Sequence, residues 1–290
     1  MEYLLQLFVS GLSVGSIYAL VALGFVVIYK ASKIINMAQG ELVMIGAYIA
    51  LFFLVDMKWN IGIALLITLL CMVILGYILN RVVMQRFIDE SVLSSIMVTI
   101  GIASFLRGVS GIVFGLKETR IPSFFGEGTL KIGSASLYEL ELWTIISSTI
   151  LIVAITIFFR YSKIGLAMRA SAENKEVAQA MGISVTSILM ISWLIATLVA
   201  GIGGIFYSQI NFVTPSMYIV GLKALPAVFL GGIDSIKGSI VGGIMIGLVE
   251  SFAGGFIGGD IKEIAAFVVL FIVLMVKPHG LYGTVEVKRV

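Results

Sequence analysis

Long apolar segments, separated by short polar stretches, make up most of this chain of 290 residues. A helix needs about 20 apolar residues to cross the hydrocarbon core of a bilayer. By that measure the pattern predicts eight transmembrane spans, of which the last is short. They cover residues 4–29, 34–55, 61–79, 91–116, 142–159, 188–213, 239–257 and 264–276.

A ninth apolar segment, residues 219–233, is also short, contains Pro226 and ends at Gly231 and Gly232. Short hydrophobic segments broken by Gly or Pro are typical of re-entrant or discontinuous helices that line a cavity. The predicted fold class is therefore all-α, a polytopic transmembrane helical bundle of about eight spans plus one short or re-entrant segment. Residues 1–290 are predicted to form a single transmembrane domain.

The composition indicates the same class of protein. Hydrophobic residues make up 60% of the chain and charged residues 12%, against about 25% charged residues in a soluble domain. The first apolar segment is longer than the core of a signal peptide and predicts a retained span. The net charge of +3 is scattered along the chain, which favours an orientation signal over a nucleic-acid-binding surface.

The sequence lacks the residues that a disulfide, a histidine-based site or a nucleotide-binding loop would need. The only cysteine, Cys71, cannot form a disulfide within the chain, and the only histidine, His279, lies beyond the last span. The stretch GGIDSIKGS has the order Lys-Gly-Ser, whereas a phosphate-binding P-loop requires Gly-Lys-Ser or Gly-Lys-Thr. Any energy that the protein uses must therefore come from another chain or from an ion gradient.

Lys and Arg in short loops predict the orientation in the membrane. The loops after the first, third and fifth spans are rich in them and are predicted to face the cytoplasm, which leaves the N-terminus outside. Lys288 and Arg289 indicate a cytoplasmic C-terminus, provided that residues 219–233 cross the membrane fully. The basic residues of the cytoplasmic loops are Lys30, Lys33, Arg81, Arg86, Arg160, Lys163, Arg169 and Lys175.

A polar segment, residues 162–182, stands between two spans on the predicted cytoplasmic side. Ser171 is a suitable N-cap, Glu173 falls in the first turn that would follow it, and Gly182 is suited to end the helix. The predicted helix is short, about 10 residues or 15 Å. It is either a ridge that binds in the groove of a soluble partner or a solvated linker.

Four ionisable residues fall within or beside spans, where a charge costs about 3 kcal/mol or more. Glu41 follows Gln39 and Gly40 in a kinked start of the second span, or lies at the level of the cytoplasmic headgroups. Arg107 is expected to pair with Glu250 or to extend to the membrane surface. Lys223 is expected at the interface.

Glycines are concentrated near the end of the chain, where the Gly-Gly pairs 203/204, 231/232, 242/243, 254/255 and 258/259 all occur. They predict close helix packing or a glycine-lined seam for substrate. Together with the ionisable residues they supply the candidates for a translocation path, which are Gln39, Glu41, Arg107, Gly231, Gly232 and Glu250.

The outer loop, residues 117–141, contains Pro122 and the alternating stretch LKIGSASLYELEL. Alternation of this kind predicts a short hairpin or an amphipathic cap. The loop is either a docking site for an external partner or a plain connector.

Four stretches resemble the LivH-type permeases of high-affinity branched-chain amino acid importers. They are GSIYALVALGFVVIY (15–29), INMAQGELVMIGAY (35–48), RYSKIGLAMRASAENKEVAQAMGI (160–183) and LKALPAVFLGGIDSIKGSIVGGIMIGLVES (222–251). The resemblance covers nearly the whole chain and is weakest in the outer loop. It departs from the family at Asp234 and Lys237, where relatives often have a glycine and a proline.

The resemblance implies a permease subunit of an ATP-binding-cassette (ABC) importer in the inner or plasma membrane. Its implied partners are a second, LivM-like permease subunit, two LivG- and LivF-like ATPases, and a periplasmic or lipid-anchored substrate-binding protein. ATP would then bind to the partner subunits, with no cofactor in this chain. The segment 160–187 would contact the ATPases, and the residues carried over for that role are Arg169, Ala170, Ala172, Glu173, Asn174, Ala178 and Gly182.

Other functions stay open at this stage. The same permease class also serves urea and short amides, so the machinery does not identify the substrate. A gradient-driven transporter would place paired acids or a histidine relay inside the membrane, whereas this chain offers Glu41 and Glu250. An intramembrane enzyme would need a set of catalytic residues that the sequence does not supply.

Overall fold

A computed structural model describes residues 2–88, 90–124, 126, 128–132 and 135–283. They contain eleven α-helices and one β-hairpin, together with short π-helices at Phe52–Asp56 and Leu79–Val83 and short 3₁₀-helices at Met84–Phe87 and Pro215–Tyr218. The helices are α1 (Glu2–Ser32), α2 (Gln39–Leu51), α3 (Ile61–Ile78), α4 (Val92–Phe114), α5 (Glu139–Tyr161), α6 (Lys163–Glu173), α7 (Lys175–Ala180), α8 (Val185–Ile210), α9 (Ile219–Gly231), α10 (Ile236–Phe256) and α11 (Gly259–Val276). The strands are β1 (Thr129–Ile132) and β2 (Ala135–Tyr138).

The predicted class, an all-α polytopic membrane bundle, is confirmed. Seven helical segments of the described chain are long and apolar enough to cross a membrane, and Pro215–Gly231 and Ile264–Val276 are shorter apolar helices. These nine segments correspond to the eight predicted spans and the ninth, short segment. The predicted hairpin in the loop 117–141 is also confirmed, with Thr129 opposite Tyr138 in an antiparallel pair.

The centre of the bundle is the antiparallel pair of α1 and α10. Gly15 lies against the backbone of Ile244, and Gly243 lies against Ala19, so that a Cβ added at either glycine would overlap backbone atoms of the other helix. Glycine allows this close approach, and in lipid it is packing rather than the hydrophobic effect that holds helices together. Some of the glycines near the C-terminus therefore allow α10 to pack closely against α1.

Two of the crossing segments contain irregular chain inside the bundle. Gln39, the first residue of α2, packs beside Gly24 of α1, about 12 Å before α1 ends. The predicted span 34–55 is therefore wrong at its start, because residues 33–38 turn back into the bundle before the helix begins. The Asn36 side chain stabilises this turn, accepting a hydrogen bond from the Ala38 N–H at 3.1 Å.

The second irregular segment precedes α9. Gly221, near the start of α9, packs against Gly40, near the start of α2. α9 has 13 residues, or about 20 Å, and the chain before it supplies the rest of the crossing. Pro226 lies inside α9 and does not end it. Irregular backbone at membrane depth is tolerated where it is buried in protein or lines a cavity.

The bundle has two ends. At the hairpin end, Ser10 of α1 hydrogen-bonds the Glu141 side chain at the start of α5, and Thr119 bridges Val213. At the short-helix end, which carries α6 and α7, the last turns of α1 and α5 pack with the first turns of α8 and α10.

Chain direction through the bundle follows from these two ends. Residues 211–231 run from the hairpin end to the short-helix end, where Gly231 accepts a hydrogen bond from the Tyr282 N–H. Segment 219–233 is therefore part of a complete crossing, and the start of α1 lies at the opposite end from residues 277–283. Lys288 and Arg289 are outside the described residues.

Candidate functional site

An ion pair joins two helices inside the bundle. The Arg107 Nη2 of α4 lies 2.5 Å from the Glu41 Oε1 of α2. The Glu41 side chain is buried, whereas 44% of the Arg107 side chain is exposed. The expected pairing of Arg107 with Glu250 is wrong. For Glu41 the sequence left two alternatives, and the irregular start of the second span is confirmed, with the carboxylate buried inside the bundle. Both outcomes follow from the return of residues 33–38 into the bundle, which carries Glu41 to the level of α4.

Tyr218 completes this group. The guanidinium carbon of Arg107 lies 3.5 Å from the centre of the Tyr218 ring, which is a cation–π contact. Tyr218 comes just before α9, and its carbonyl oxygen packs against Gly40 at the start of α2. Sequence reasoning missed Tyr218, because an uncharged ring beside an apolar segment gives no signal of membrane chemistry.

A cavity of about 310 Å³ opens over these three side chains. Protein sites for small molecules measure about 300–1,000 Å³ and combine an apolar lining with a few polar groups. This cavity has that composition, since the other side chains that line it are apolar except for Ser104. The apolar ones are Phe25, Met37, Ile100, Ala103, Leu222 and Leu225.

Gln39 secures the start of α2 rather than facing this cavity. Its amide nitrogen donates to the Ala196 carbonyl of α8 at 3.4 Å, and its amide oxygen accepts from Asn36 at 3.3 Å. The side chain is fully buried beside Gly24. Gln39 therefore links the irregular segment to α8 and positions the residue two places further on, Glu41.

Glu250 belongs to a second polar group, on α10. The Tyr18 hydroxyl of α1 donates to the Glu250 Oε2 at 2.9 Å, and the Lys223 Nζ of α9 lies 3.8 Å from the other carboxylate oxygen. Only 12% of the Lys223 side chain is exposed, so its expected position at the membrane interface is wrong. Opposite charges buried together compensate one another, and this group joins three helices.

Gly231 and Gly232 lie at backbone contacts at the short-helix end. A Cβ on Gly231 would overlap Gly238 of α10, and one on Gly232 would overlap Gly283. Gly232 also has a φ of +105°, which favours glycine. The geometry of both residues is that of close packing.

The polar segment folds differently from the predicted single helix. Ser162 caps α6 by accepting from the Gly165 N–H, and Asn174 caps α7 by accepting from the Val177 N–H. Ser171, the predicted cap, is buried in the last turns of α6, and Glu173 ends that helix. The extended backbone of Asn174 breaks the helix there. The predicted end is confirmed, because Gly182 follows α7 with a φ of +82°.

Polar contacts connect these two helices to the bundle. Arg169 of α6 donates to the Phe159 carbonyl at the end of α5, and the Lys175 Nζ of α7 donates to the Ile88 carbonyl at 3.1 Å. Of the other residues predicted here, Ala178 is buried, Ala170 and Ala172 are half-buried, and Glu173 and Asn174 are exposed. The segment is therefore held at two places, one at the end of α5 and one before α4.

One exposed face of α7 is apolar. Val177 and Met181 stand four residues apart on one face, and their exposed fractions are 58% and 78%. This face is available to pack against another molecule. Within the described residues no three His, Cys, Asp or Glu side chains stand close enough to hold a metal ion.

Comparison with known proteins identifies a family and several relatives that this chain is similar to. Residues 7–276 match the family described as branched-chain amino acid transport system / permease component. The high-affinity branched-chain amino acid permease proteins LivH of Salmonella typhimurium and of Escherichia coli strain K12 are each 30% identical to this chain, across 99% of it and 98% of the relative. BraD of Pseudomonas aeruginosa is 30% identical across 100% of this chain and 98% of its own length. No solved structure matches the chain.

Proposed function

Because this chain belongs to the family of branched-chain amino acid transport permease components, we propose that it carries leucine, isoleucine and valine across a cell membrane as a subunit of an ABC importer. The observation that carries the proposal is the similarity to LivH and BraD proteins, which extends over the full chain. The seven described helical segments long and apolar enough to cross a membrane, with two shorter apolar helices, agree with a multi-pass permease.

We infer four kinds of partner from the family. They are a second, LivM-like permease, two LivG- and LivF-like ATPases that bind ATP, and an external substrate-binding protein. Two surfaces support partners of this kind. The half-exposed charge of Arg107 at membrane depth requires water or protein beside it rather than lipid. The exposed apolar face of Val177 and Met181 is suited to a groove on a soluble protein.

The short-helix end is assigned to the cytoplasm. Lys30, Arg160, Arg169 and Lys237 line one shallow cavity at that end, and an excess of basic residues marks the cytoplasmic side. The N-terminus is then outside and the C-terminus cytoplasmic. The binding protein would meet the hairpin end, where the loop 117–141 lies.

The segment of α6 and α7 is proposed to couple ATP hydrolysis to transport. Movement of an ATPase held on the Val177 face would be carried to the end of α5 through Arg169 and to the start of α4 through Lys175. The residues proposed for this coupling are those carried over from the family, Arg169, Ala170, Ala172, Glu173, Asn174, Ala178 and Gly182.

The second candidate substrates are urea and short amides, imported by the same machinery. A gradient-driven transporter ranks lower, because Glu41 and Glu250 each lie beside their own basic residue instead of forming a pair of acids. The apolar lining of the cavity next to Glu41 favours a substrate with an aliphatic side chain over urea.

The experiment is reconstitution of the chain in vesicles with both ATPases, the second permease and the binding protein. Uptake of L-leucine should require ATP and every subunit. Uptake by this chain alone, or uptake that does not depend on ATP, would contradict the proposal. Uptake of urea in preference to L-leucine would support the proposed ABC importer but contradict the proposed substrate.

A further inference from the structure

The cavity over Glu41, Arg107 and Tyr218 combines two opposite charges with apolar walls. Apart from Glu41, Arg107, Tyr218 and Ser104, the side chains that line it are apolar. An α-amino acid with an aliphatic side chain has the same division, with a carboxylate and an ammonium at one end and hydrocarbon at the other. We propose that this cavity is the binding site, within the membrane, for the zwitterionic head and apolar side chain of the transported amino acid. The inference rests on the proposed function and deepens it.

Arg107 is the residue that meets the carboxylate. A guanidinium has five N–H donors, and its planar shape matches two carboxylate oxygens. One nitrogen of Arg107 contacts Glu41, 44% of the side chain is exposed, and the side chain lines the cavity. The Tyr218 ring supports one face of the guanidinium at 3.5 Å and so fixes the plane in which it presents its donors.

Glu41 is the partner of the ammonium group. Its Oε1 lies 2.5 Å from the Arg107 Nη2, so the two charges compensate one another. An incoming zwitterion can separate them, placing its carboxylate on Arg107 and its ammonium on Glu41. The number of opposite-charge pairs then rises from one to two, and no charge is left buried without a partner, which would otherwise be costly. When the substrate leaves, the original pair forms again.

The backbone brings these groups together by close packing at two glycines. Gly40 precedes Glu41 and lies against the Tyr218 carbonyl oxygen, and Gly221 lies against Gly40. The starts of α2 and α9 therefore meet beside the cavity. The apolar walls come from α1, α4 and α9, through Phe25, Ile100 and Leu225 among others.

Ligand-detected saturation-transfer NMR tests the site directly, since it detects the weak binding expected of a transient transport site. The sample is the complete importer in nanodiscs, without binding protein and without nucleotide. The probes are L-leucine, 3-methylbutylamine, which lacks the carboxylate, and 4-methylpentanoate, which lacks the ammonium. L-leucine should give the strongest signal, and the other two should bind at least about tenfold more weakly, or about 1.4 kcal/mol.

Variants assign the signal to this cavity. Arg107→Lys keeps the charge but loses the planar fork and its stacking on Tyr218, and Glu41→Gln removes the charge that meets the ammonium. Each should weaken L-leucine binding about tenfold. The matched controls are Arg81→Lys and Glu118→Gln, the same substitutions at exposed positions, and both should bind L-leucine as the original protein does.

The outcomes separate this inference from the proposed function. Equal L-leucine signals in the two site variants and the two controls would overturn the inference, as would equal binding of the three probes or no L-leucine signal at all. In each of these cases ATP-dependent uptake by the original importer would leave the proposed function standing. Each variant is used only if it assembles with the ATPases and hydrolyses ATP, and Arg107→Gln replaces Arg107→Lys if the latter does not assemble.

Discussion

Gly40 of α2 and Gly221 of α9 pack backbone to backbone, although 180 positions separate them in the chain. A side chain on either residue would overlap the other helix. This contact sets the spacing between Glu41 on one helix and Tyr218 at the start of the other. Several measurable properties depend on it.

Gly40→Ala should destabilise the protein and reduce uptake together. The added methyl group overlaps the Tyr218 carbonyl, and overpacking of this kind costs about 1–3 kcal/mol. Thermal unfolding of the purified chain in detergent measures the first effect. Gly101→Ala is the control, because a Cβ at Gly101 meets no atom within 4 Å. An equal loss of stability in both variants would contradict the packing argument.

The apolar face of α7 is expected to hold the ATPases. Val177→Asp or Met181→Asp places a charge in that contact and should reduce co-purification of the ATPase subunits at least about tenfold, since a buried charge without a partner costs several kcal/mol. Gln179→Asp adds the same charge to an exposed position on another face of the same helix. If Gln179→Asp releases the ATPases as strongly, the contact does not lie on the Val177 face.

The N-cap of α7 should matter for coupling. Asn174→Ala removes the hydrogen bond to the Val177 N–H, which costs about 1 kcal/mol of helix stability. ATP hydrolysis should continue while uptake per ATP hydrolysed falls. Asn174→Asp retains an oxygen that accepts the same bond and should restore the ratio. Identical ratios for the two variants would show that the cap has no role in coupling.

The effect of each buried charge, Lys223 or Glu250, on thermal stability should depend on the presence of the other. Glu250→Gln removes the negative charge beside the Lys223 ammonium, and losing one charge of a buried pair costs about 3–5 kcal/mol. The double variant Lys223→Met with Glu250→Gln removes both charges and should regain most of the lost thermal stability. A double variant less stable than Glu250→Gln alone would contradict the coupling.

Features that depend on neighbouring residues could be predicted from the sequence. The number and order of the apolar segments, the hairpin in the loop 117–141 and the role of Gly182 after α7 all come from local composition. Lengths of about 20 apolar residues and glycines in left-handed conformations leave direct signals in the chain. The fold class followed from them.

Features that depend on distant residues could not be predicted in this way. Arg107 pairs with Glu41 because residues 33–38 turn back into the bundle, and the hydropathy of this segment does not show the turn. Ser171 and Asn174 both have side chains suited to an N-cap, and the buried position of Ser171 decided between them. The sequence therefore identified the charged residues of the candidate site, but it did not identify which residues they contact.

The contact between α2 and α9 also orders events during synthesis. The first turn of α2 reaches the membrane long before the ribosome has made Tyr218 and Gly221, so that Glu41 and the polar turn before it must wait there without α9. The contact of this helix with α9 can form only after residue 221, three quarters of the way along the chain, has been translated. Truncated chains that end before residue 218 should leave this region open to insertase or chaperone proteins, even though every earlier apolar helix is present.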